Sequence, residues 1–73
     1  MKPSPGQKYQ SQTHRDERFY IEAVGDGDPE SPEFFTVEFC HVDDIHDMSA
    51  PCFDLTGDEW NAFAEEHALI LEP

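Results

Sequence analysis

From Phe19 to Pro73 this 73-residue chain carries fifteen carboxylates and no lysine or arginine. All four basic residues, Lys2, Lys8, Arg15 and Arg18, fall within the first eighteen positions. The formal net charge of −13 lies well beyond the magnitude of about 2–8 that suffices to keep a small domain in solution. Like charges crowded onto a small body repel one another, and salt or a cationic surface relieves the cost. A basic partner or a very salty solvent is therefore the natural complement, and the charge argues against direct binding of nucleic acid.

A chain of this length has room for one domain around one thin core. Six Phe, two Tyr and one Trp are enough to build it, since each packed ring removes roughly 150–250 Å² from water. No apolar run reaches the roughly 18 residues that span a bilayer, and the start MKPSPGQK has no apolar core of an export signal. A cytoplasmic location away from membranes is expected, with Cys40 and Cys52 as free thiols.

Residues 1–5 read as a flexible arm and residues 6–73 as the acidic domain. Within 7–12, Tyr9 and Ser11 alternate with polar neighbours, which predicts a short edge strand. The stretch 18–24 predicts a strand with Phe19, Ile21 and Ala23 on one face and Arg18, Tyr20, Glu22 and Val24 on the other. Gly25 to Pro29 closes it with turn residues. The stretch 34–42 is the strongest strand, with Phe35, Val37, Phe39 and His41 alternating against Phe34, Thr36, Glu38 and Cys40. It is expected to pair antiparallel with its predecessor. Residues 43–51 read as an acidic loop, and 52–55 as a further short strand.

Thr56 and Glu59 have the spacing of a capping box, and Leu55 and Trp60 that of a hydrophobic staple. Trp60, Phe63, Ala64 and His67 then recur at helical spacing, so 58–67 predicts an amphipathic helix. Residues 69–71 end as a short strand or tuck under the sheet. The expected fold is α+β, a small antiparallel sheet of three or four strands with one C-terminal amphipathic helix packed on one face.

Cys40, His46 and Cys52 offer zinc-type ligands, with His14, His41 or His67 as a fourth, but their spacing lacks the close pair of a compact zinc site. The carboxylates of 43–47 resemble a calcium loop without its glycine and distal glutamate, so only adventitious binding is expected there. His67 reads first as a packed boundary residue. No phosphate loop, nucleophile elbow or basic residue beyond position 18 serves catalysis, and the chain is expected to be neither an enzyme nor a cofactor protein.

The acidic surface itself is what remains. Alternate residues along a strand are about 6.6 Å apart on one face, close to the separation of successive phosphates along a nucleic-acid strand. Glu30, Glu33, Glu38, Asp43, Asp44 and Asp47, followed by Asp58, Glu59, Glu65 and Glu66 on the helix, are expected to form such a track. In size and charge the chain resembles phage-encoded DNA-mimic proteins that block host glycosylases, nucleases, restriction enzymes or CRISPR effectors. That resemblance implies a basic protein partner with a nucleic-acid groove. Two other readings stand beside it: an ordinary acidic protein of a salt-rich cytoplasm, and a small zinc-binding regulatory domain. The sheet edge leaves homodimerisation open.

Overall fold

The computed structural model describes residues 2–27, 30–31, 34–45 and 52–72. In chain order these form β1 (Lys8–Ser11), β2 (Arg18–Gly25), β3 (Thr36–His41), a 3-10 turn (Val42–Asp44), β4 (Phe53–Thr56), α1 (Gly57–Glu66) and β5 (Leu69–Leu71). The strands make one antiparallel sheet in the order β4-β3-β2-β1-β5. The expected α+β class is observed, but the sheet has five strands among the described residues, not three or four. The helix is also not C-terminal, because β5 follows it and joins the far edge beside β1.

Four antiparallel steps leave β4 and β5 parallel on opposite edges. The chain must therefore cross the whole sheet between them. Four inter-strand gaps span about 19 Å, and the ten residues of α1 span about 15 Å, so one short helix nearly bridges the width.

The helix starts as its sequence predicts. The Thr56 hydroxyl accepts from the Glu59 amide at 3.3 Å, and the Glu59 carboxylate accepts from the Thr56 amide at 3.1 Å. It ends at Glu66 with His67 as its C-cap, and the next residue, Ala68, has a φ of 48° in the left-handed region that glycine occupies at lowest cost. That turn directs the chain into β5.

One face of the sheet, together with α1, encloses the core: Tyr9, Phe19, Ile21, Phe35, Val37, Phe39, Trp60 and Ala64, with Val24, Leu55, Phe63 and Leu69 packed against them. Phe39 meets Phe19 and Trp60 edge to face at 5.6 and 5.4 Å, the favoured ring geometry. A bulge interrupts the β2–β3 register between Ile21 and Ala23. Ile21 pairs with Phe39 but Ala23 with Glu38, so beyond the bulge Val24 turns inward and Ala23 outward, reversing the expected alternation.

Near the start of the chain Pro3 is buried. The Lys2 ammonium pairs with Asp26 at 3.0 Å and lies over the Phe35 ring. Gly27 passes so close to Phe34 that a Cβ there would collide with the Phe34 carbonyl.

Candidate functional site

The face of the sheet opposite α1 carries Glu22, Glu38 and Asp54. Glu38 projects from β3 between the inward residues Val37 and Phe39, and its register partner on β4 is Asp54. On β2 the bulge leaves Glu22 on this same side, where its carboxylate accepts a hydrogen bond from the Cys40 thiol at 3.3 Å. Carboxylate oxygens of Glu22 and Glu38 and the Cys52 sulfur all lie within 4.8 Å of one another. Three adjacent strands, each about 4.8 Å from the next, thus place three acids in a row across the sheet.

Like charges set directly opposite on paired strands are destabilising, and among the described residues no ion pair offsets them. The ion pairs of the described residues are Lys2 with Asp26 and Arg18 with Glu72, and the Glu17 carboxylate lies 3.9 Å from Nδ1 of His67. The two thiols beside the row are also shifted. Burial first, then the hydrogen bond and charge of Glu22, push Cys40 up to about 12, and Asp44 adds to the effect. Cys52 is raised too, by lost hydration and then by Glu22 and Glu38.

The opposite end of this face is neutralised. Arg18 donates through Nε and Nη2 to the two oxygens of Glu72 at 2.6 and 2.9 Å, and Lys8, the register partner of Tyr20 on β2, points to the same side. The open face is therefore polarised, with Lys8 and the paired Arg18 on β1 and β2 toward one edge and Glu38 and Asp54 on β3 and β4 toward the other.

The structure does not gather the ten expected acids into one track. Glu38 lies on the open face. Asp43 and Asp44 share the 3-10 turn but diverge: Asp43 acts on Arg18 and Asp44 on the two thiols. Asp58, Glu59, Glu65 and Glu66 belong to α1, on the far side of the sheet. There Glu59 is committed to the capping box, while Glu65 and Glu66 sit in the last turn, where the helix dipole disfavours negative charge. Glu30 is exposed and adjoins neither group in the sheet register. Glu33 and Asp47 lie outside the described residues. Glu22 and Asp54, central to the row, are absent from the expected set.

The chain has a family match across nearly its full length, over residues 3–69. It belongs to the DUF8087 family, described as a domain of unknown function. This DUF8087 domain is also 38% identical over 52 residues to protein ORFg in retron Ec67 of Escherichia coli, an alignment covering 67% of this chain and 50% of that protein. The chain spans about half the length of that curated relative. No solved structure matches it.

The expected zinc set also divides. Cys40 and Cys52 are free thiols on the side of the sheet opposite α1, Cys40 buried and Cys52 exposed, and His46 lies outside the described residues. His41 packs against Phe19 at 5.0 Å between ring centroids, and His67 against Phe63 at 4.3 Å, both on the covered side. His14 lies beside His67. None of these three histidines of the DUF8087 domain reaches the cysteines. No described helix is long and apolar enough to cross a membrane.

Proposed function

We propose that the protein is a small acidic binding protein that inhibits a nucleic-acid-binding enzyme or effector by occupying its basic groove. Its contact surface is the acidic half of the open sheet face. The observation that carries this reading is the row Glu22, Glu38 and Asp54 on adjacent strands, with no ion pair to any of them among the described residues. Such a row costs the fold stability, and a cationic groove would remove that cost on binding. Opposite fields would steer the encounter and raise association by about 10–10³ at low salt.

The test compares two charge-reversal variants. Lysines replace Glu22, Glu38 and Asp54 in one and Asp58, Glu65 and Glu66 in the other. Proteins captured from host lysate at low salt are then assayed for nucleic-acid binding with and without each variant. Wild type and the helix variant are expected to inhibit, and the sheet variant to lose inhibition by at least about tenfold, the equivalent of roughly 1.4 kcal/mol. Full inhibition by the sheet variant would remove this surface from the reading. Captured proteins whose nucleic-acid binding is untouched would remove mimicry altogether.

A second reading draws on the acids of α1, which leave both sides of the molecule negative. An acidic protein suited to a salt-rich solvent would carry charge in this way. It predicts unfolding at low ionic strength and recovery in molar KCl, whereas the binding reading predicts a folded protein in both.

A further inference from the structure

We propose that His14, Glu17 and His67 form a binding site for a divalent metal of the zinc class, separate from the acidic row. Their ligand atoms lie within 4.8 Å of one another, although His67 is fifty positions beyond Glu17 in the chain. Two imidazoles and one carboxylate suit zinc and the neighbouring transition metals, and three protein ligands leave a fourth position open to water or an incoming group.

The backbone geometry holds the three residues together through Ser11, which is fully buried. The Ser11 hydroxyl donates to the His67 carbonyl at 3.1 Å and accepts from the His14 amide at 3.1 Å. The Ser11 amide donates to the Glu17 carbonyl at 3.0 Å, and the Glu17 amide to the His14 carbonyl at 2.8 Å. One β1 residue thus anchors the main chain of all three ligands, which come from the β1–β2 turn and the end of α1.

The side chains are disposed to match. The Nδ1 atom of His67 is buried and has no hydrogen-bond partner, and the Glu17 carboxylate is 3.9 Å from it. Packing of the His67 ring on Phe63 accounts for where the ring lies but leaves that nitrogen unsatisfied, which is rare for a buried polar atom. At His14 the Thr13 hydroxyl is 3.0 Å from Nδ1, an outer-shell contact of the kind that fixes a ligand's tautomer and leaves Nε2 for the metal. Metal bonds of about 2.0–2.2 Å require the donors to draw closer. His14 is exposed and Glu17 only half-buried, so side-chain rotation supplies the movement while His67 stays fixed. The net charge of −13 enriches cations around the molecule.

Zn²⁺ titrated calorimetrically into the metal-free full chain should bind one ion per chain. Replacing the exposed His14 (His14→Ala) should weaken that binding by at least about tenfold, with circular dichroism unchanged. The double variant Glu22→Gln/Cys52→Ser should bind as wild type. In ¹H–¹⁵N spectra of the side chains, His14 and His67 should shift on adding Zn²⁺ while His41 does not. Affinity indifferent to His14→Ala, or lost in the double variant, would overturn the assignment. Several weak ions per chain with no imidazole shift would mean an adventitious ion only, and would overturn it equally.

Discussion

The two faces of one sheet have been put to opposite uses. On the covered face every strand contributes an apolar side chain to a continuous cluster, from Tyr9 through Phe19, Ile21, Val37 and Phe39 to the helix residues Trp60 and Ala64. On the open face the same strands, one residue out of phase, present Lys8, Tyr20, Glu22, Glu38 and Asp54. The covered face does what a fold requires, burying rings at favourable angles. The open face does something a fold does not require, setting Glu38 against Asp54 with Glu22 alongside. Like charges opposed on paired strands do not stabilise a sheet, and the partner-binding role proposed above would account for them.

The strongest way to break the contrast is to damage the covered face. Trp60 is fully buried and touches the rings of Tyr9, Phe39 and Phe63. Trp60→Ala should cost about 3–5 kcal/mol, against a total stability of roughly 4–11 kcal/mol for a chain of this size. Urea denaturation should show a variant close to unfolded without denaturant. A loss below about 1 kcal/mol would mean that the helix is not clamped to the sheet as described.

The open face should respond in the opposite direction. Glu38→Gln removes the charge facing Asp54 while preserving shape, and should stabilise the protein by about 0.2–1 kcal/mol at low salt. The gain should shrink in molar salt, because exposed charges are then screened over a few ångströms. Destabilisation at low salt would show that Glu38 has a favourable partner and that the row is not repulsive.

Much of the covered face was legible in the sequence, and much of the open face was not, for one physical reason. Alternation in 18–24 and 34–42 and the Thr56–Glu59 spacing are local signals, and the strands, their pairing and the capped helix follow them. The bulge at Glu22 is a property of pairing between strands, so it turned Ala23 outward and Val24 inward against the local pattern. Leu69–Leu71 is only three residues long, too short to declare itself a strand without β1 beside it. The acid row depends on the same long-range register. Asp54 matters only because it falls opposite Glu38, and Glu22 only because the bulge leaves it beside Cys40. The helix acids, conversely, joined the expected track by charge alone, and the crossover carries them to the other side. His14 and His67 meet only once β5 closes against β1.

The smallest effect separates the two halves of the open face. Arg18 holds the Glu72 carboxyl below the usual carboxylate range, chiefly through its hydrogen bonds. This contact ties the end of β5 across to β2. Because the folded value is depressed, the stabilisation is present above the ordinary value of 4.5 and is lost as the pH falls through the lower folded value. Comparison of wild type with Glu72→Gln isolates this contribution to the melting temperature. Wild type should melt slightly above Glu72→Gln at pH 7, and the gap should close as the pH drops below about 4.5. A gap that persists unchanged into strong acid would mean that the difference does not come from the ion pair. The basic half of this face would then be no better compensated than the acidic half.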